Sequence, residues 1–296
     1  MDVLILGGGG QVGTELRAYP WPEGVTAHAP TRAELDITDA GAVAGALGAR
    51  AYAAVINAAA YTAVDKAESE VAEAWRLNAL ALAILAAATK SKKIPVVHVS
   101  TDYVFAGTKP TGAYEPDEPI DPRSVYGASK AAGEMAVRTG NPRHAILRTA
   151  WVVSPHRGNF VKTMLRLAGE RDRLTVVDDQ HGCPTSAADL AAALATVALR
   201  MAVNEDAPTG TFHCVNGGDT TWCGFARAIV AGAARRGGRP VPVDGIATAA
   251  YPTPARRPAN SRLSTRSLTE AYGIAPRPWP AALDDILDRL IGPAAR

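Results

Sequence analysis

An α/β fold, with a parallel doubly wound sheet and a smaller C-terminal lobe, is what this 296-residue sequence predicts. Three observations carry that expectation. Apolar runs alternate with segments of helical spacing through the first half of the chain, the pattern of repeated βαβ units. The first apolar run closes on a cluster of glycines. After residue 150 the alternation loosens into short runs and proline-rich connections.

The elements follow in order. Asp2-Val3-Leu4-Ile5-Leu6 is a short apolar run that reads as a buried strand. Gly7-Gly8-Gly9-Gly10-Gln11-Val12-Gly13 follows, and a helix is expected from Gln11 to Arg17. These glycines satisfy both Gly7-x-x-Gly10-x-x-Gly13 and Gly8-x-Gly10-x-x-Gly13, so spacing leaves the two common dinucleotide fingerprints unseparated. The physics is shared: glycine permits the tight turn and lets backbone N–H groups approach a pyrophosphate at a helix N-terminus. The expected sheet is therefore of the Rossmann type.

A second strand is expected near Val25 to Ala29, where an acidic side chain would grip a ribose 2′-hydroxyl. The chain instead reads His28-Ala29-Pro30-Thr31-Arg32. A guanidinium suits a 2′-phosphate better than a bare diol, so Arg32 favours NADPH, with NADH an alternative. Asp36-Ile37 follows, and either contacts the adenine or caps the next helix.

Further strands are expected at Ala54–Ala60, Val96–Thr101 and His144–Thr149, with helices over Glu68–Lys90 and Tyr126–Thr139. Ligands of doubly wound sheets bind beyond the carboxyl ends of the strands. The fingerprint turn, Ala58-Ala59-Ala60-Tyr61-Thr62 and Val99-Ser100-Thr101-Asp102 fall at such ends and converge on one crevice.

Ser124-Val125-Tyr126-Gly127-Ala128-Ser129-Lys130 brings the chemistry. Positions four apart share a helix face, which puts the Lys130 ammonium beside the Tyr126 phenol. A neighbouring positive charge lowers a phenol pKa that is about 10 unperturbed. The phenol then becomes a proton donor to the alkoxide formed when a carbonyl accepts hydride. Thr101 and Tyr126 together supply donors to that oxygen. His98 alternates inward on its strand and reads as a satisfied core group.

Composition narrows the class. A net charge of +2 gives no nucleic-acid footprint. Cys183, Cys214 and Cys223 are too few and too scattered for a disulfide framework or a zinc site. The chain opens on a strand, leaving no room for a signal peptide, and its longest apolar helix is broken by Asn78 and flanked by charge. No membrane partner and a cytoplasmic location are expected. The division expected is 1–150 for the dinucleotide-binding domain, with some later segments returning to it, and 151–296 mainly for the substrate lobe. Val176 and Phe212 mark short strands there, and the basic, proline-rich loop Tyr251–Pro258 either covers the substrate or is an ordinary connection.

These motifs, with Asn57-Ala58-Ala59-Ala60, Ser100-Thr101-Asp102-Tyr103-Val104-Phe105 and Arg148-Thr149-x-Trp151-Val152, resemble the extended short-chain dehydrogenase/reductase superfamily. The resemblance is closer to the dTDP-4-dehydrorhamnose reductase family, through Val55–Glu68, Asp178–Thr185 and Tyr251–Pro258, and covers almost the whole chain. It implies NADPH-dependent reduction of the 4-keto group of dTDP-4-dehydrorhamnose to dTDP-L-rhamnose. By matching motif, Tyr126 is the proton donor, Lys130 holds the nicotinamide ribose, and Thr101 bonds the carbonyl oxygen. Gly7, Gly10, Gln11, Val12 and Gly13 form the pyrophosphate turn. Ala60, Tyr61, Thr62 and Val99 border the cofactor, and Thr101, Asp102 and Trp151 the sugar nucleotide. Asn78 resembles a helix Asn that supports the active-site region, or is a polar helix residue with a local partner. Some members are dimers joined by a metal between glutamates. Glu15 matches the first such position, whereas the others fall on Ala188 and Arg289, so no metal site and a monomer or weak homodimer are expected.

Three alternatives stay open: another NDP-4-keto-6-deoxyhexose reductase, a dehydratase or epimerase of the same fold, and a catalytically silent NADP(H)-binding regulatory subunit. A dehydratase needs an Asp-Glu pair after the strand-end Thr, and here Asp102 is followed by Tyr103.

Overall fold

A computed structural model describes residues 1–294. The main sheet is built from β1 (Asp2–Leu6), β2 (Thr26–His28), β3 (Tyr52–Asn57), β4 (Val96–Thr101), β5 (His144–Thr149) and β6 (Gly210–His213). All pair in parallel, in the order β2-β1-β3-β4-β5-β6. Buried parallel strands are apolar on both faces, and Val3, Leu4, Ile5, Val55, Ile56, Val96, Val97, Ile146 and Leu147 are all buried. The direction of winding reverses beside β1, so the loops after β1 and β3 flank the switch point where such sheets bind ligands.

Those two loops touch. Gly7 has φ +83°, and a Cβ built on it would lie 2.6 Å from the backbone nitrogen of Ala59. Gly13 lies inside α1 (Gln11–Ala18), where a Cβ would stand 2.1 Å from the carbonyl oxygen of Gly7. Both positions therefore need the absence of a side chain.

Helices α2 (Ala40–Ala49), α3 (Val71–Ser91) and α4 (Val125–Gly140) cover one face, where Leu82, Leu85 and Val137 share a core with Leu4, Val55 and Ile146. The expected break at Asn78 does not occur. Arg76–Leu80 forms a π turn inside one continuous helix, an insertion that proteins often use at functional sites. The polar side chain costs nothing there because it is fully hydrogen-bonded to neighbours, as described below. By length and mean hydropathy of 1.4 this helix is long and apolar enough to cross a membrane; here it packs against α2 and α4.

Helix α5 (Phe160–Glu170) begins the second lobe, and α6 (Ala187–Val203) returns to the sheet. Leu190, Leu194 and Val197 of α6, with Phe212 of β6, pack on Val3 and Ile5. The second core gathers Val153, Val161 and Met164 around Phe225 and Ile229 of α7 (Trp222–Ala234) and Leu283 and Leu287 of α8 (Trp279–Ile291). Short strands Leu174–Val177 and Val243–Ile246 pair at its side.

The Tyr251–Pro258 loop docks on the first domain rather than over open solvent. Arg257 Nη2 donates to Asp65 Oδ2 at 2.7 Å, and Pro258 lies against Gly107, which has φ +69° and room for no Cβ. None of the loop's residues lines the crevice described next.

Candidate active site

A crevice of about 600 Å³ opens beyond the carboxyl ends of β1, β3, β4 and β5. It brings together Gly10, Gln11, Val12, Ala60, Thr62, Val99, Thr101, Asp102, Tyr126, Lys130 and Trp151, as expected from the sequence.

Thr101 is the last residue of β4, and its hydroxyl does two jobs. It accepts from the Tyr103 N–H at 3.2 Å, capping the turn Asp102–Val104, and donates to Asp102 Oδ1 at 3.0 Å. The Ser261 hydroxyl donates to Asp102 Oδ2, bringing the second lobe to the crevice floor. Burial pushes the Asp102 carboxyl up to about 6, against these hydrogen bonds.

Tyr126 stands in the first turn of α4, which starts where the Ser124 hydroxyl accepts from the Gly127 N–H at 3.1 Å. A Cβ on Gly127 would meet the Tyr103 carbonyl oxygen at 2.2 Å, so glycine here lets α4 approach β4's end. The Tyr126 ring meets Tyr103 edge-on at 5.5 Å. Its phenol is pushed up to about 12, mainly by burial, with the Thr101 hydroxyl opposing and the Asp102 charge adding.

The expected lowering of that phenol by Lys130 is therefore not found. Lys130 Nζ reaches across to β4, donating to the Val99 carbonyl oxygen at 2.7 Å and lying 3.3 Å from His98 Nε2. Burial holds the Lys130 ammonium down to about 8, against the pull of Glu134. Desolvation dominates both groups, so the pair is raised and lowered in opposite directions.

His98 is fully buried and hydrogen-bonded, as its place on the strand suggested: Nδ1 lies 3.0 Å from Asn57 Nδ2, and Asn57 Oδ1 accepts from the Ala59 N–H at 3.2 Å. Its contact with Lys130 was not legible in sequence. Burial and the Lys130 charge keep the ring neutral by holding its pKa well below the usual value. Asn78 reaches two places at once. Its Oδ1 accepts from the Tyr61 N–H at 2.8 Å, and Nδ2 donates to the Tyr61 carbonyl at 3.1 Å and to Ser129 Oγ at 3.0 Å. The π turn thus ties the loop after β3 to α4.

Several expected residues stand elsewhere. Gly7 and Gly13 shape the turn without lining the crevice. The Tyr61 hydroxyl turns outward to Glu70 Oε2 at 2.5 Å, which raises the phenol to about 12, while Tyr61's backbone stays in the loop that borders the crevice. Arg32 lies beyond β2 with its side chain 69% exposed and 3.6 Å from Glu73. Asp36 neither caps α2 nor lines the crevice: its Oδ1 accepts from the Thr38 N–H at 2.9 Å and hydroxyl at 2.8 Å. The cap of α2 is Asp39, because only a carboxylate one residue before the helix reaches the free N–H groups of Gly41 and Ala42. Ile37 is buried against Leu4 and Val43, so its side chain belongs to the core.

Other features of the lining were not assigned from the sequence. Ser100 and Thr149 place buried hydroxyls at the crevice with no protein partner. Trp151 has φ +51° and stacks on Trp222 at 3.7 Å, with Phe160 tilted against it at 4.6 Å. A Cβ on Gly182 would strike the Trp151 indole at 2.5 Å. Only the pairing of remote segments reveals these contacts.

The positions matched to a shared metal come together at another depression, where Glu15 Oε1 accepts from Arg289 Nη1 at 2.7 Å and lies 2.9 Å from His156 Nε2, with Ala188 alongside.

A parallel sheet with a glycine turn at its switch point, and a strand-end Thr facing a helical Tyr-x-x-x-Lys, define a Rossmann-type oxidoreductase of the short-chain dehydrogenase/reductase kind. Residues 1–291 match the family model described as RmlD substrate binding domain. A dTDP-4-dehydrorhamnose reductase from Sinorhizobium fredii is 44% identical, over 94% of this chain and 94% of that protein. The crystal structure of a dTDP-4-dehydrorhamnose reductase from Clostridium acetobutylicum superposes with a TM-score of 0.91 at 36% identity, covering 98% of this chain and 99% of that one. One from Bacillus anthracis, in complex with NADP, gives 0.89 at 32% identity, covering 97% and 99%. The chain belongs to the dTDP-4-dehydrorhamnose reductase family.

Proposed function

We propose that this protein reduces the 4-keto group of dTDP-4-dehydrorhamnose with NADPH, giving dTDP-L-rhamnose. The observation that carries the reading is the meeting of Thr101, Tyr126 and Lys130 at the end of β4, in the crevice that the glycine turn also borders. A dinucleotide fits the donor set. The turn excludes side chains at Gly7 and Gly13, the N-terminus of α1 faces the crevice, and the Ser100 and Thr149 hydroxyls await partners.

NADPH, when bound, supplies the hydride. Gly10, Gln11 and Val12 hold the diphosphate end, and the free N–H of Lys130 serves the nicotinamide ribose. Thr101 turns its hydroxyl from Asp102 to the carbonyl oxygen. Tyr126, whose pKa of about 12 keeps it protonated at neutral pH, gives its proton to the forming alkoxide. Thr101 and Tyr126 are preorganised donors to that oxygen, each typically worth about 3 kcal/mol. The dehydratase alternative lacks its acid/base pair: beside Asp102 stands Tyr103, whose phenol is pushed up by burial.

The test is steady-state oxidation of NADPH with dTDP-4-dehydrorhamnose, the sugar product being identified by NMR. One sugar reduced per NADPH is expected, and Tyr126→Phe should lower kcat by a factor on the order of 10²–10⁴ with little change in cofactor binding. Sugar conversion without NADPH consumption, or a Phe variant keeping half its turnover, contradicts the reading.

A further inference from the structure

A segment of the second lobe is laced across the glycine turn. Gln11 Oε1 accepts from the Ser154 hydroxyl at 2.8 Å and from Asn159 Nδ2 at 3.0 Å, binding the chain between them over the start of α1. On this strap Arg157 has φ +55°, the left-handed region that a non-glycine residue enters rarely and at a cost. Its Nε donates to the Gly9 carbonyl oxygen at 2.8 Å. Its terminal nitrogens have no protein acceptor among the described residues, and Nη2 stands 3.4 Å from the point where a Cβ of Gly9 would be.

The charge inventory of the crevice gives that guanidinium a role. Among its lining residues the cations are Lys130 and Arg157, and the carboxylate is Asp102. Lys130 is buried at the reacting end and already bonded to Val99. The first turn of α1 carries no acidic side chain and no lysine or arginine. A dinucleotide diphosphate lying on the turn brings two negative charges to backbone N–H groups alone, unless Arg157 meets them.

We propose that Arg157 is a binding residue for the cofactor diphosphate, its two terminal nitrogens forking onto phosphate oxygens while Nε stays on Gly9. This rests on the reading that the crevice takes NADP(H). The planar fork matches phosphate geometry, and such charge-assisted bonds are the stronger kind. Contact with Gly9, on the turn itself, assigns the guanidinium to the cofactor rather than to the sugar nucleotide, whose end of the crevice is walled by Trp151, Trp222 and Phe160. A latch to Gly9 would need only Nε and no strained arginine.

The experiment is equilibrium titration of the full chain with three ligands: NADPH, 2′-phospho-ADP-ribose, which keeps the diphosphate, and adenosine 2′-monophosphate, which lacks it. Arg157→Ala should weaken the first two about tenfold or more and leave the third within about twofold. Arg157→Gly, suited to the left-handed backbone, should lose as much, which separates the guanidinium from the strap's conformation. Arg157→Lys should restore part of the affinity. Unchanged binding of NADPH would overturn the proposal and leave a latch. An equal loss on adenosine 2′-monophosphate would overturn it too, by assigning Arg157 to the 2′-phosphate or to the turn's shape. Absence of NADPH binding by the unaltered chain would overturn the cofactor reading itself.

Discussion

At the scale of single residues, burial decides the chemistry of the site more than charge proximity does. Tyr126 and Lys130 lie one helical turn apart, yet the phenol is held at about 12 and the ammonium at about 8. Of the two, the group that titrates on the alkaline side of the working range is therefore Lys130. Its pKa is lowered from 10.5, so the ammonium is present below about pH 8 and is lost as pH rises through that value. We expect kcat/KM to fall above about pH 8, and the limb to belong to Lys130 rather than Tyr126. His98 does not steady this charge: Nδ1 accepts from Asn57 Nδ2, which leaves the proton of the neutral ring on Nε2, so the Val99 carbonyl oxygen is the acceptor that holds the ammonium. Lys130→Arg, whose guanidinium stays charged far above pH 8, should remove the limb from whatever activity remains. A pH–rate profile with the same limb in both proteins contradicts this account. Sequence patterning placed His98 correctly inside the strand, but not its partner, because Lys130 lies on another element 32 positions away.

At the scale of elements, the glycines mark where two segments must nearly touch. Gly13 packs α1 onto the turn, Gly127 packs α4 onto the end of β4, and Gly133 lets the Asn78 carbonyl approach, each with a would-be Cβ within 2.2 Å of a backbone oxygen. Gly45, inside α2, has nothing within 4 Å. Gly13→Ala should force the turn open, weakening NADPH binding by at least about tenfold and costing about 1–3 kcal/mol of stability. Gly45→Ala should instead stabilise by about 0.5–1 kcal/mol through helix propensity. Urea unfolding and NADPH titration of both variants check the pair; similar behaviour of the two would show that the turn has slack. The turn was legible because its glycines follow a clean apolar strand. The π turn was not. Asn78 reads as a breaker in a one-dimensional pattern, and only its bonds to Tyr61 and Ser129 explain why the helix runs through it.

At the scale of the molecule, the sheet and its crevice follow from the alternation of strands and helices, since each apolar run of the first half became a parallel strand. The second lobe was less readable. Its strands are two to four residues long, too short for periodicity, and its contributions to the site come through single long-range contacts such as Ser261 with Asp102. For the same reason Trp222 and Arg157 surfaced only in three dimensions, whereas the Arg32 expectation rested on local order and met an exposed side chain beside Glu73. What unites these parts is a claim about one bond: hydride passes from the cofactor on the glycine turn to a sugar carbon held beside Thr101 and Tyr126. The direct measurement uses NADPH deuterated stereospecifically on one or the other face of its nicotinamide, with NMR of the sugar nucleotide produced. The account predicts deuterium at C4 of the sugar from one labelled cofactor and none from the other. Product carrying no deuterium from either, or deuterium at a different carbon, would contradict it.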